Sequence, residues 1–411
     1  MLYRIELPEI TLERLTDVVY LQMTLLRYAS YRSPSQLNKE DCAVYFEKSQ
    51  RFRGRHKEIA EWIFRGSTKR KLLETFASGN QSEKLAWSRN LHQDVVKLLY
   101  HPCGLLNPYI KDQNPTEWKQ AGVTFLINFY EEYLDSLPKN FFSESQINNI
   151  TKGSIRESFE QINKTLEVCP TCDFEIIRDE IDHYLPKSVY PHLSCHPFNL
   201  MPICGACNDK QIKGNIDLLR KGIKIPRQLE QILLPYRTDG LAKHIYLDFD
   251  LSENFRQPIN IQYYSQTTSS YDSNYLKIHA NTYKLSSRWI KMSSNMESSL
   301  FRTIKKIIKN PDNKPYLNIF DIQEILDQYL SEELIDEQGK TGFAFPMTWW
   351  LATLINQQIE PVINSEEEID IQDYPFLAEI ATWIEQETIQ HPQFMNNETL
   401  KKARELRKKA Q

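Results

Sequence analysis

The chain has 411 residues, of which 41% are hydrophobic and 25% are charged, and its formal net charge is −4. This composition is typical of a soluble globular protein and excludes a disordered chain. The longest apolar stretch, around residues 345–355, is too short to cross a membrane. The length allows two or three domains. Three regions are predicted, with boundaries at residues 1–165, 166–228 and 229–411.

The first region, residues 1–165, is predicted to be a helical N-terminal domain. An apolar stripe at helical spacing opens it, formed by Leu12, Leu15, Val19, Met23 and Leu26. A basic segment follows between Lys48 and Lys71, with Phe52, Trp62 and Phe64 interleaved. This segment has two interpretations. It is either a nucleic-acid surface or a set of helices whose aromatic residues belong to the core.

The second region, residues 166–228, contains two Cys-x-x-Cys pairs. They are Cys169 with Cys172 and Cys204 with Cys207, which together hold four of the seven cysteines. Two such pairs predict a four-cysteine zinc site, because thiolates at this spacing lie on a tight turn and reach one tetrahedral ion. Four thiolates leave no open position for water, so this zinc would be structural. The alternatives are a plain zinc ribbon without catalysis, or buried free thiols.

Polar residues of a different kind accompany these cysteines. Asp182 and His183 stand between the pairs, Asn199 precedes the second pair, and Asn208 follows it directly. In this order the segment 169–215 resembles the HNH nucleases, also called the ββα-metal nucleases. The resemblance implies that Asp182 and Asn208 bind a catalytic Mg²⁺ or Mn²⁺. It also implies that His183 is the general base and that Asn199 orients the loop or the imidazole.

The chemistry of the residues supports the same expectation. Phosphodiester hydrolysis needs a base for water and neutralisation of charge on the phosphate, and a neutral histidine can accept a proton near pH 7. On a strand, Asp182 and His183 would point to opposite faces. Asn208 would offer an amide oxygen at the start of the following helix. A carboxylate and an amide form an oxygen-rich site that suits Mg²⁺ or Mn²⁺.

Several residues of this region have a structural alternative. Lys187, Lys210 and Lys213 are predicted phosphate contacts in a locally basic stretch, or else part of a solvated helix face. His183 has the alternative of a structural or zinc-binding histidine. Three further residues of the same stretch match nothing in the family pattern and are predicted to be loop residues: His192, Cys195 and His196.

The stretch around Asp182 is also similar to HNH nuclease subunits of bacterial anti-phage systems of the Septu type. That similarity implies a DNA substrate and a separate ATPase as partner. Reduced or zinc-bound thiols, with no export signal in the sequence, predict a cytoplasmic location. A homodimer is possible, since one HNH centre cuts one strand. The alternatives are a restriction or mobile-element nuclease, and a non-catalytic zinc-stapled module that binds nucleic acid or protein.

The third region, residues 229–411, is predicted to be a small β-sheet followed by helices. Alternating patterns indicate strands at 245–251 and 259–263, with another at 275–278. Helical periodicity covers 286–308 and 320–330, an acidic patch lies at 366–373, and a basic helix ends the chain at 401–409. The whole chain is thus predicted to have an α+β, mostly helical fold around a central ββα-metal module.

Overall fold

The fold is given by a computed structural model of the chain. It describes residues 2–109, 116–138, 141–142, 150–173, 180–232, 234–236, 240, 242, 245–251, 260–265, 273–291, 293–308, 319–336, 338, 340, 342, 344–365 and 373–390. Within these residues the protein is mostly helical, with two small antiparallel sheets. None of the described helices has both the length and the hydrophobicity that a membrane span requires. The acidic patch, apart from Asp373, and the basic helix predicted at 401–409 lie outside the described residues.

The N-terminal region is helical, as its apolar periodicity predicts. In the described part of this region the α-helices are α1 (Glu9–Ser30), α2 (Lys39–Glu47), α3 (His56–Phe64), α4 (Ser67–Ala77), α5 (Gln81–Tyr100), α6 (Glu117–Asn128) and α7 (Lys152–Ile162). The stripe on α1 is buried at Leu15, Val19, Met23 and Leu26, and α1 packs against α4 and α5. The apolar face of α1 therefore holds this bundle together.

The basic segment between Lys48 and Lys71 contributes its aromatic residues to the core. Phe52 is 1% exposed and Trp62 is 7% exposed. Arg51 and Arg55 pair with Asp17 on α1, and the ammonium of Lys69 lies 4.4 Å from the centre of the Trp62 ring. These contacts favour the core interpretation over an aromatic surface for nucleic acid.

A short hairpin lies at the centre of the second region. Strand β1 (Glu180–His183) pairs antiparallel with β2 (Leu200–Ile203), so that Asp182 is opposite Met201. Helix α8 (Gly205–Asn208) follows and is one turn long, because Asp209 leaves the helical conformation at φ −57° and ψ 138°. Asn208 thus ends this helix and does not begin it, contrary to the expectation. The order strand, strand, helix agrees with a ββα arrangement, but one helical turn does not establish a ββα-metal module.

The third region begins with the predicted small sheet, β3 (Ile245–Asp250) and β4 (Asn260–Ser265), which pair antiparallel. Its described α-helices are α9 (Ser273–Thr282), α10 (Leu285–Lys291), α11 (Ser293–Ile308), α12 (Ile319–Gln328), α13 (Ala344–Leu354), α14 (Glu360–Ile363) and α15 (Pro375–Gln390). The strand predicted at 275–278 is wrong, since these residues lie within α9. The helix predicted at 286–308 is helical in its described residues, as α10 and α11, with residue 292 between them outside the described part of the chain.

The core is continuous among the described residues. Buried side chains from all three predicted regions belong to one hydrophobic cluster. Backbone hydrogen bonds also join distant segments, from Tyr3 N to Pro170 O at 3.1 Å and from Ala242 N to Leu2 O at 2.9 Å. The hairpin of the second region is therefore built into a larger core. The boundaries after residues 165 and 228 remain predictions.

Candidate metal centre and hydrolytic site

The four cysteines of the two pairs converge on one buried cluster. Their sulfur atoms all lie within 4.8 Å of one another. The first pair lies in the turn that precedes β1. In the second pair Cys204 is the N-cap of α8 and Cys207 lies within that helix, where Cys207 N donates to Cys204 O at 3.0 Å. The two turns thus bring their sulfur atoms together, although Cys172 and Cys204 are 32 residues apart in the sequence.

The sulfur geometry fits a tetrahedral metal ion such as zinc. The Cys172 and Cys204 sulfurs are 3.8 Å apart, too far for a disulfide, which needs roughly 2.05 Å. Zinc bonded to thiolates at about 2.3 Å places neighbouring sulfurs roughly 3.8 Å apart in a tetrahedron. Hydrogen bonds with Cys169 lower the pKa of Cys204 and raise the pKa values of Cys172 and Cys207. The support for a metal site is therefore the arrangement of the four sulfurs.

Residues from distant helices surround this cluster. Arg288 on α10 donates to the sulfurs of Cys207 and Cys172 at 3.1 and 3.4 Å, and the Trp289 indole N–H donates to Cys172 O at 3.0 Å. Burial opposes the charge of Arg288, but the neighbouring Cys207 and Cys172 outweigh it and raise its pKa. Neither Arg288 nor Trp289 was singled out in the sequence, because nothing local to them signals a contact with cysteines so far away.

Asp173 directly follows the first cysteine pair and is fully buried. It has a left-handed backbone conformation with φ 59°. Its carboxyl oxygens accept hydrogen bonds from the Tyr3 hydroxyl at 2.7 Å and from the Phe345 N–H at 2.9 Å. Burial raises its pKa to about 8, although both hydrogen bonds act in the opposite direction. Asp173 thus links the N-terminal segment, the cysteine cluster and the first turn of α13.

His183 lies on β1 with its ring directed into the interior. It is 5% exposed, and its Nε2–H donates to Ser194 O at 2.8 Å, which leaves Nδ1 as the acceptor nitrogen of the neutral ring. Tyr130 meets the imidazole edge to face, with ring centres 4.5 Å apart. Burial, assisted by the charge of Lys187, lowers the pKa of His183 to about 3, so the ring is neutral at physiological pH.

Helix α6 fixes the partner of His183. The Ser194 hydroxyl donates to Leu126 O at 2.7 Å and accepts from the Gln22 amide at 3.2 Å. Ser194, whose carbonyl accepts the hydrogen bond from His183 Nε2–H, is therefore held by α1 and α6. Tyr130 lies in a π-helical turn, Phe129–Tyr133, that directly continues α6. Such turns often occur at functional sites.

Asn199 closes the loop between the two strands. Its Oδ1 accepts Leu185 N at 2.7 Å, and its Nδ2 donates to Leu185 O and Leu193 O, both at 3.0 Å. The side chain is buried, at 1% exposure. Asn199 therefore uses its amide to hold the loop in shape. It keeps Leu185, two residues after His183, close to the start of β2.

Asp182 faces away from His183, as strand alternation predicts, and is paired with Lys213. The Lys213 ammonium donates to the Asp182 carboxylate and to His183 O, and its side chain is 2% exposed. Gly214 makes this possible, because φ is +50° there and a Cβ would lie 2.7 Å from Lys210 O. Lys213 was predicted to be a phosphate contact. Instead its side chain is buried and its ammonium pairs with Asp182, the carboxylate that was predicted to bind the divalent ion.

Asn208 contacts Glu180, a residue that was not among those predicted from the sequence. The Asn208 amide donates to the Glu180 carboxylate. Glu180 stands two residues before Asp182 on β1, so both carboxylates share one face of the strand. The spacing of two residues between Glu180 and Asp182 could have shown from the sequence that Glu180 lies on the same face as Asp182. The described contacts join Asn208 to Glu180 and Asp182 to Lys213, and they do not join Asn208 directly to Asp182.

The remaining predicted residues have separate positions. Lys187 pairs with Glu131, and its ammonium lies 5.3 Å from the centre of the Tyr130 ring. Lys210 is exposed on the turn after α8. His192, Cys195 and His196 are fully buried; His192 lies 3.4 Å from the Asp94 carboxylate, and His196 contacts Val95 O at 3.3 Å. These contacts with α5 show that the two histidines anchor the loop to the helical region.

The site thus consists of a buried four-cysteine cluster next to a hairpin that carries Asp182 and His183. Comparison of the chain with protein-family models, with curated proteins and with solved structures finds no match.

Proposed function

We propose that the protein is a metal-dependent HNH endonuclease that hydrolyses DNA phosphodiester bonds. The observation that supports this most is the position of Asp182 and His183 side by side on β1, facing opposite ways. The adjoining loop is held by Asn199, and the base of the hairpin adjoins the cysteine cluster. A bare zinc ribbon requires none of these polar residues.

The proposed roles follow from the chemistry of each side chain. Zinc on the four cysteines would hold the hairpin ends in place. Asp182 and Asn208 would hold a Mg²⁺ or Mn²⁺ ion, which neutralises charge on the scissile phosphate. His183, neutral and with Nδ1 as acceptor, takes the proton from water. A phosphate near the ring would raise the low pKa of His183, because it stabilises the imidazolium.

Lys213 has a defined part in this proposal. Its ammonium pairs with Asp182, so a divalent ion on that carboxylate requires the ammonium to move away. The long side chain could then contact the phosphate, as the sequence suggests. Lys187 and Lys210 would provide further phosphate contacts.

The proposed biological role is that of an anti-phage effector in the cytoplasm. Its support is the similarity to HNH subunits of Septu-type systems, together with reduced cysteines that suit that compartment. This role implies DNA and an ATPase as partners. A homodimer would allow both strands to be cut. A restriction or mobile-element nuclease is the alternative role with the same chemistry.

A non-catalytic module is the second candidate function. Two observations favour it: His183 is almost fully buried, and Asp182 is already neutralised by Lys213. In that case the same residues would only stabilise the hairpin. The zinc-stapled surface would then bind nucleic acid or a protein without cutting.

The test is incubation of the purified full-length protein with supercoiled plasmid, single-stranded DNA and RNA, each in Mg²⁺, Mn²⁺ or EDTA. The nuclease proposal expects nicked or linear plasmid with Mg²⁺ or Mn²⁺ and intact plasmid in EDTA. DNA that is bound in a mobility-shift assay but never cut, alone or with co-purifying proteins, would instead support the binding module.

A further inference from the structure

Arg288 joins the two cysteine pairs from outside the nuclease-like segment. One guanidinium nitrogen donates to Cys207 at 3.1 Å and another donates to Cys172 at 3.4 Å. One of these sulfurs belongs to the second pair and the other to the first, so a single planar group spans both. A forked guanidinium can do this, whereas an ammonium is a point donor.

The charge of the cluster explains why a cation belongs there. A zinc ion with four thiolates carries a net charge of about −2, and burying an uncompensated charge is costly. Cys172 is 2% exposed and Cys207 is fully buried. Lys213 is also electrostatically close to Cys207, but its ammonium donates to Asp182 and His183 O. Arg288 is the cation that the described contacts place directly on the sulfurs.

A second contact fixes the helix that carries Arg288. The indole N–H of Trp289 donates to Cys172 O at 3.0 Å. The Trp289 ring is 2% exposed and its centre lies 5.9 Å from the centre of the Phe345 ring on α13. Consequently α10 is anchored on both sides, and the guanidinium of Arg288 is held against the cysteines.

We propose that Arg288 is a positioning residue of the metal centre, which bridges the two cysteine pairs and balances their charge, so that zinc retention depends on α10. Partners outside the first ligand shell commonly change metal affinity by about 10- to 100-fold. This proposal goes beyond the nuclease function, since it concerns the metal centre alone and holds whether or not the protein cuts DNA.

The test compares zinc retention in the full-length protein and three variants: Arg288→Met, Arg288→Lys and, as control, Lys291→Met. Lys291 is exposed on the same helix. Zinc content is measured after purification, and zinc transfer to a chromogenic chelator is followed over time. We expect the wild type and Lys291→Met to release zinc slowly and equally. Arg288→Met should release it at least about 10-fold faster, with Arg288→Lys intermediate.

A spectroscopic readout separates this role from general stability. In the Co²⁺-substituted protein, loss of N–H···S bonds should shift the thiolate-to-cobalt charge-transfer band in both Arg288 variants and leave it unchanged in Lys291→Met. Should Arg288→Met fail to fold, Arg288→Lys decides the matter by the same two measurements. Wild-type release rates and an unshifted band in a folded Arg288 variant would overturn the proposal.

Discussion

Lys213 and Asp182 form a poorly solvated ion pair in which each charge is compensated by the other. The Lys213 side chain is 2% exposed and that of Asp182 is 12% exposed. Burial lowers the pKa of Lys213, and the Asp182 carboxylate opposes that shift. Removing one partner of such a pair leaves an uncompensated charge in a poorly solvated place, which is more costly than losing an exposed ion pair.

Lys213→Met should therefore lower the free energy of unfolding by about 3 kcal/mol. Lys210→Met is the matched control, because Lys210 is exposed on the same turn, and it should change stability by less than about 0.5 kcal/mol. Denaturant unfolding of both variants measures the difference. Equal stabilities would show that the buried ammonium contributes nothing to the hairpin.

His183 should make stability depend on pH in acid. Burial lowers its folded-state pKa to about 3, against about 6.5 in the unfolded chain. Below about pH 6.5 the unfolded state therefore binds a proton that the folded state does not. The free energy of unfolding falls as the pH drops from about 6.5 towards about 3, and the contribution is fully present above that window.

His183→Gln has no imidazole to titrate, so its stability should decline less between about pH 6.5 and about pH 4 than that of the wild type. Unfolding midpoints across this range provide the measurement. The same slope in both proteins would mean that His183 is more accessible to protons than its burial implies.

Sequence patterns predicted the local relations of the site and missed the distant ones. The alternation of Asp182 and His183 follows from the period of a strand, and the Cys-x-x-Cys spacing from the reach of a tight turn. Lys213 appeared to be a surface residue, because its burial depends on the turn at Gly214. The Arg288 contact spans 81 residues to Cys207, and no local pattern encodes it.

At the scale of elements, the cysteine pairs lie next to the ends of the hairpin strands. Strand β1 follows the first cysteine pair and β2 leads directly into the second. Each strand has four residues, and an isolated two-stranded hairpin is marginally stable in water. A metal ion bound to both pairs would therefore help to fix the spacing of the strand ends.

Cys207→Ser should accordingly lower the zinc content from about one ion per chain to nearly none and raise protease sensitivity around the hairpin. Cys103→Ser is the control, since Cys103 is exposed and outside the cluster; it should retain zinc and resist protease like the wild type. Elemental analysis and limited proteolysis give the two readouts. Full zinc content in Cys207→Ser would contradict a four-cysteine metal site.

Element types were predictable where periodicity was long, and less so where it was short. The stripe on α1 extends over several turns and correctly gave a helix. The pattern at 275–278 covers four residues, too few to separate strand from helix. Helical backbone bonding continues directly after it, where Tyr283 N donates to His279 O at 3.1 Å. Ala280 and Tyr283 are also buried there.

At the scale of the whole molecule, Asp173 links segments that are far apart in sequence. Its two hydrogen bonds reach Tyr3 and Phe345, 170 and 172 residues away. It also follows Cys172 directly, so it ties the cysteine cluster to the N-terminal segment and to α13. The sequence does not reveal this link, because an aspartate after a cysteine pair is ordinary in loops.

Asp173→Ala should leave the Tyr3 hydroxyl and the Phe345 N–H without their acceptor and lower the free energy of unfolding by about 3 kcal/mol. Asp173→Asn keeps one carbonyl acceptor and a similar shape, so its loss should be smaller. Calorimetry or denaturant unfolding compares the two. An alanine variant as stable as the wild type would mean that these hydrogen bonds are not needed to join the regions.

The sequence also did not predict that one hydrophobic core extends through all three regions. Composition and length allowed two or three domains, and the three regions differ in secondary structure as predicted. Which apolar faces meet depends on long-range packing, and the described residues form one hydrophobic cluster across all three regions. The loop after β1 shows this, since His192 and His196 contact α5 and Ser194 contacts α6.

The claim that His183 is the base of a DNA-cleaving site is tested most directly by the rate of plasmid cleavage in Mn²⁺. The rate is compared for the wild type, His183→Ala and His196→Ala, each with confirmed zinc content. His196 is a buried histidine of the same loop that contacts backbone atoms, so it controls for loss of a buried imidazole. We predict that His183→Ala is slower by about 100-fold or more, while folded His196→Ala still cuts. Cleavage by His183→Ala at the wild-type rate would contradict it.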